Sequence, residues 1–132
     1  MSDYDYAIVV LEAGGAGTTL LVLRLTRCTF DPDYIPTIQD YFEKKILIDN
    51  KEYTIRIRDT CGQNEMMGVT DIGIKDSQAC IIGYSITSKA SFDYVDELRN
   101  KWMCIKDGNT NIVLVGNNCD NEEFLIELYC LF

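Results

Sequence analysis

Tyr4-Asp5-Tyr6-Ala7-Ile8-Val9-Val10-Leu11-Glu12-Ala13-Gly14-Gly15-Ala16-Gly17-Thr18-Thr19-Leu20-Leu21 is the stretch that decides how this chain folds. Tyr4 to Leu11 is a short, nearly continuous apolar run, as in a central strand buried on both faces. It leads straight into Ala13-Gly14-Gly15-Ala16-Gly17, after which Thr18 to Arg27 has helical character through Leu20, Leu21, Leu23 and Leu25. In a strand–small-residue turn–helix succession, consecutive backbone N–H groups converge on an anion at the positive end of a helix dipole. The full phosphate-loop pattern is G-x-x-x-x-G-K-[ST]. Gly17 and Thr19 stand at their places, but Glu12 replaces the first glycine and Thr18 the lysine. Alone, such a stretch serves equally well as a plain turn, so the rest of the chain must decide.

Outward from it, strand and helix periodicities alternate, which points to an α/β sheet. Asp31-Pro32-Asp33-Tyr34-Ile35-Pro36 is loop, since each proline disfavours helix at the residue before it. Asp40 to Ile48 and Glu52 to Asp59 are strands around a turn at Asp49-Asn50-Lys51. In the second, Tyr53, Ile55 and Ile57 alternate with Thr54, Arg56 and Arg58, so the hairpin has one wetter face. Gly62 to Asp76 has weak helical pattern, interrupted by Gly68 and Gly73, and is expected to be mobile. Ala79 to Ser85 is a strand, and Ser88 to Lys106 the best helix: Ser91 is its expected cap, with Phe92, Val95, Leu98, Trp102 and Ile105 at helical spacing. Asn111 to Gly116 is a last apolar strand. These elements predict a doubly wound, mostly parallel sheet with one antiparallel edge strand and a ligand at the carboxyl ends of the strands.

Composition narrows the function classes. At 132 residues and 47% apolar content the chain can bury one core. A net charge of −9 argues against a nucleic-acid or anionic-membrane partner. The absence of histidine excludes imidazole chemistry. Six scattered cysteines without a CxxC pair, and a start without a basic signal region, suggest reduced thiols and a cytoplasmic location.

Three further motifs stand in order after the glycine-rich turn: Pro36-Thr37, Asp59-Thr60-Cys61-Gly62-Gln63 and Asn117-Asn118-Cys119-Asp120. An aspartate at the last strand end can accept from both N1–H and the exocyclic amine of guanine, a pair that adenine does not offer. Together the four motifs resemble the Ras superfamily of small GTPases, from the first strand to Asp120. The resemblance implies a P-loop NTPase fold, GTP/GDP and Mg²⁺ as ligands, and GTP hydrolysis. Gly14, Gly15, Ala16, Gly17, Thr18 and Thr19 would then cradle the phosphates, with Phe30 edge-on to the base. Thr19 and Thr37 would hold Mg²⁺ directly and Asp59 through water. Gly62 would offer its N–H to the γ-phosphate and Gln63 would orient the attacking water, with Thr37 completing the catalytic set. Asp120 would select guanine, with Asn118 beside the base and Asn117 tying loops together. Effectors and regulators would bind through Tyr34–Phe42 and Gly62–Asp76.

This chain departs from that pattern. Thr18 removes a phosphate-binding cation, Glu12 adds an anion near the phosphates, Asn118 shortens the cover over the base, and Cys61 stands where the family has alanine. The resemblance also implies a further guanine-contacting loop, a sixth strand and a final helix. Only about a dozen residues follow Asp120, and Thr87-Ser88-Lys89-Ala90, which mimics the missing loop, precedes the long helix. The division expected is an incomplete nucleotide-binding unit over residues 1–120 and an apolar tail over 121–132. That tail is either a short helix patching the sheet or an uncovered, self-associating end. Cys130 is third from the end, which is not a C-a-a-X prenylation signal, so no lipid anchor is expected. Three readings remain: a slow, weak nucleotide switch; a pseudo-GTPase interaction module; and a defective product.

Overall fold

A computed structural model describes residues 3–12, 39–60, 67–117 and 128–131. Its strands are β1 (Tyr6–Glu12), β2 (Gln39–Ile48), β3 (Lys51–Thr60), β4 (Ala79–Ser85), β5 (Ile112–Asn117) and β6 (Leu128–Leu131). The helices among these residues are α1 (Met67–Asp76), α2 (Lys89–Asp93) and α3 (Val95–Ile105). The strand limits from β1 to β5 fall within two residues of those expected. The helix expected over Thr18 to Arg27 lies outside the described residues.

The six strands form one sheet in the order β2-β3-β1-β4-β5-β6. β3, β1, β4 and β5 are mutually parallel, and β2 runs antiparallel at one edge. The β2–β3 turn is a two-residue one: Asp49 (φ 51°) and Asn50 (φ 65°) both take the left-handed conformation that suits the twist of a hairpin. Their short polar side chains tolerate it.

The tail differs from both expectations. Leu128–Leu131 is neither helix nor uncovered end but a strand, antiparallel to β5, with Ile112 opposite Leu131 and Val115 opposite Leu128. The residues Leu-Tyr-Cys-Leu are uncharged and suit a pleated surface. The connection 118–127 is shorter than the roughly dozen residues that a parallel crossover needs, which leaves the antiparallel return.

Alternation along the strands sorts two clusters onto the two faces. Val9, Leu11, Cys80, Ile82, Ile112 and Leu114 pack against Ile74 of α1 and Val95, Leu98 and Trp102 of α3. Trp102 is fully buried, and its Nε1–H donates to the Asn109 carbonyl at 2.9 Å. The other face carries Val10, Phe42, Ile55 and Ile57, with Ile8, Ile46, Tyr53 and Ile81 around them. At the amino-terminal ends of the parallel strands that face opens into an apolar cavity of about 520 Å³, lined by Tyr6, Ile8, Ile46, Ile48, Ile55 and Ala79 among others.

Local details correct the helix readings. Ser88, not Ser91, is the cap: it is extended (φ −127°) and its hydroxyl accepts from Ser91 N–H. The long helix divides at Tyr94, yet Tyr94 keeps helical angles and 3.2 Å backbone bonds run through it on both sides. Phe92 is half exposed, edge-on to Tyr84 at 5.1 Å, and not part of the core. Gly73 does more than weaken α1. A Cβ there would lie 2.9 Å from Arg58 Cδ and 3.3 Å from Val9 Cγ2, so glycine is what lets the helix settle onto the sheet.

Candidate functional site

Parallel strands leave their carboxyl ends together, and in this sheet four of them end on polar side chains. β1 ends on Glu12, β3 on Asp59 and Thr60, β4 on Ser85 and β5 on Asn117. The register sets Val10 beside Asp59, Glu12 beside Gly83, and Ser85 beside Asn117. With the two-residue alternation of a strand, Glu12, Asp59, Ser85 and Asn117 therefore share one face of the sheet. It is the face opposite the described helices. The glycine-rich stretch leaves from the middle of this row, directly after Glu12.

Burial gives the row its electrostatic character. Asp59 is 3% exposed and Glu12 8%, so two carboxylates from neighbouring strands lie in a region with little water. Charges so placed act over longer range and more strongly than on the surface. Thr60 points to the other face and donates its hydroxyl to the Val10 carbonyl at 2.7 Å, which locks the end of β3 onto β1 just where Asp59 sits. Asn117 is held through its backbone: its carbonyl accepts from Ile86 N–H at 3.0 Å.

A carboxylate at Asp59 is a hard oxygen donor suited to Mg²⁺, which is bound through few protein ligands and keeps several waters. The described end of the site fits such an ion. Glu12 puts a buried carboxyl group directly before the glycine-rich stretch, where, ionised, it would weaken the hold on a polyphosphate. The remaining residues named from the sequence, Gly14 to Thr19, Phe30, Thr37, Gly62, Gln63, Asn118 and Asp120, lie outside the described residues. So does most of Tyr34–Phe42, of which Gln39–Phe42 opens the edge strand β2.

Gly62–Asp76 is described from Met67 onward, as α1. Its carboxyl-terminal half is fastened by Lys101 Nζ to Asp71 at 2.9 Å and by Arg58 to Asp76 at 3.7 Å. Lys106 Nζ donates to the Lys75 carbonyl at 3.0 Å. Sequence patterning gave no hint of these ties, since each joins residues far apart in the chain. It also missed the serines after β4, described below; three serines at i, i+3 and i+6 (Ser85, Ser88, Ser91) were the available signal.

No helix among the described residues is long and apolar enough to cross a membrane. Among the same residues no group of three His, Cys, Asp or Glu side chains is placed to hold a metal by itself. The family model for the Ras family matches residues 7–127, nearly the whole chain. Matched over that span, with the strand order and the polar strand ends described above, the chain belongs to the Ras family and is a Ras-like small GTP-binding protein.

Proposed function

We propose that the protein is a guanine-nucleotide-dependent switch with weakened phosphate binding and slow hydrolysis, acting on effector and regulator proteins. The observation that carries this is the row at the strand ends. Asp59 and Asn117 flank the end of β1 on one face, at the two corners where the family places its Mg²⁺ and base contacts. Residues 1–120 would form the nucleotide-binding unit, with 121–132 as a tail. Within that unit Gly14–Thr19 would wrap the phosphates, Phe30, Asn118 and Asp120 the base, and Thr19, Thr37 and Asp59 the Mg²⁺ side. Gly62 and Gln63 would face the γ-phosphate. Bound Mg²⁺ would neutralise phosphate charge, and the chain's own part is to orient nucleotide and water.

The cost of the departures can be sized. A hydrogen bond to a charged group is worth about 1.5–3 kcal/mol, so a missing lysine at Thr18 weakens affinity roughly ten- to several-hundred-fold. Buried Glu12 adds repulsion to that loss. The same residue favours a second reading, a pseudo-GTPase module that keeps the family's protein-binding surfaces and binds little nucleotide.

Thermal melting with GDP or GTP plus Mg²⁺, and ATP as control, separates the two. Ligand at a hundred times its dissociation constant adds about 2.7 kcal/mol, which at this size is a rise of roughly ten degrees. A guanine-specific rise that Asp120→Ala abolishes supports the switch. Glu12→Gly with Thr18→Lys should enlarge it. No rise in the native chain, but a clear one in that double variant, identifies the pseudo-GTPase.

A further inference from the structure

The hydroxyl cluster at the end of β4 has no part in the nucleotide contacts assigned above, yet its centre, Ser85 and Ser91, is buried. Ser91 is 6% exposed. Its Oγ accepts from Ser85 N–H at 2.9 Å and lies 2.8 Å from the Ser88 carbonyl and 3.2 Å from that of Ser85. Ser88 N–H donates to the Ser85 carbonyl at 3.1 Å, and Ser88 Oγ accepts from Ser91 N–H at 3.2 Å. Ser85 Oγ, in turn, is 2.8 Å from Thr87 Oγ1. One side chain on α2 thus holds both backbone groups of the last β4 residue and the turn that leaves it.

That turn lies against the end of β5. Ser85 is the register partner of Asn117, and Ile86 N–H donates to the Asn117 carbonyl at 3.0 Å, one step beyond the ladder. Gly116 has no room for a side chain: a Cβ there would meet Ile86 Cγ2 and Tyr84 Oη, each at 2.9 Å. Ile86 is therefore seated on the backbone of β5, and Tyr84 is braced from outside by Phe92. Asn117 leads directly into Asn118-Cys119-Asp120.

We propose that Ser91 is a positioning residue for base recognition: its buried hydroxyl latches the Ser85–Ser88 turn, which through Ile86 fixes the carbonyl of Asn117, three residues before Asp120 in the sequence. The functional half of this rests on the guanine-nucleotide reading above. The alternative, that Ser91 only stabilises the start of α2, makes a different prediction, because lost stability alone weakens all nucleotides equally.

The experiment has two arms on wild-type, Ser91→Ala and Ser91→Thr proteins. Amide exchange without nucleotide reads the latch, and the ratio of GDP to IDP affinity reads base recognition, since inosine lacks the exocyclic amine that Asp120 would bind. In Ser91→Ala the Ile86 amide should exchange about tenfold faster, the order expected for one lost hydrogen bond, while Val9 in the core is unchanged. The GDP preference over IDP should fall several-fold. Ser91→Thr keeps the hydroxyl and should keep both, even if its added methyl lowers the melting temperature. An Ile86 rate unchanged in Ser91→Ala overturns the proposal. So does an unchanged GDP/IDP ratio in a variant whose Ile86 exchange has risen. Wild-type protein that binds neither nucleotide overturns the site reading and the positioning role with it, a failure visible before any variant is made.

Discussion

Cys80 shows how far a single side chain is governed by its place. It sits on the helix-facing side of β4 among Val9, Ile112 and Trp102, and burial pushes its thiol pKa far up. The native thiol keeps its proton where an unfolded one, with a pKa of about 8.5, has lost it. In that range the native state binds more protons, so the contribution is complete below about pH 8.5. It is lost as pH rises further, by up to about 1.4 kcal/mol per pH unit. Denaturant melts from pH 7 to 10 should therefore show a steeper loss of stability in the wild type than in Cys80→Ala. Equal slopes would refute the burial argument. In the same folded protein a thiol reagent should reach exposed Cys104 and not Cys80. At this scale the sequence was uneven as a guide. The strand-end positions of Asp59 and Asn117 were legible because motif and apolar run coincide. The burial of Glu12 was not, since nothing in a carboxylate's identity tells which strand end encloses it. Ser91 was misread as a cap because spacing cannot distinguish N3 from the cap three residues earlier.

Elements were more legible where one face repeats without interruption. The alternation of Tyr53, Ile55 and Ile57 became the buried side of β3, while Arg56 on the wet side donates to Glu43 at 2.8 Å. The helix over Ser88 to Lys106 was legible in extent and misread at Phe92, where an edge contact with Tyr84 outweighs burial. α1 was hardest, because its fixing groups Arg58, Lys101 and Lys106 come from other elements. Gly73 supplies the decisive test. Glycine to alanine in a helix interior gains about 1 kcal/mol of propensity. Here the new Cβ would press on Arg58 Cδ at 2.9 Å, the middle of a chain that is itself 12% exposed and tied to Asp76. Overpacking costs about 1–3 kcal/mol, so the clash should win. Gly73→Ala should melt below the wild type, whereas Ile72→Ala, at an exposed position of the same helix, serves as the control for propensity. A stabilised Gly73→Ala would mean that α1 lifts off the sheet at little cost.

At the scale of the molecule, the described residues form a sheet with an antiparallel strand at each edge, and the sequence points to only one of them. The β2 edge followed from a hairpin visible in the sequence. The β6 edge did not, because the nine residues after Glu123, all apolar or weakly polar except Glu127, read equally well as helix or strand, and only the neighbouring edge of β5 decides between them. β6 covers four residue positions of β5, from Ile112 to Val115. Those positions alternate between the two clusters' faces, so an uncovered β5 would present unpaired backbone groups and apolar side chains together, the combination that templates strand addition. At about 0.2–1 kcal/mol for each of its four cross-strand pairs, β6 contributes roughly 1–4 kcal/mol. A chain lacking residues 128–132 should thus melt several degrees lower and self-associate as its concentration rises, read by sedimentation velocity beside the full chain. If the shortened chain sediments and melts as the full one does, β6 holds nothing and the sheet ends at β5. If it associates, replacing Val113 and Val115 by lysine in the shortened chain should restore the monomer, because charges on an edge strand repel an incoming copy while leaving the helix-facing Ile112 and Leu114 in place.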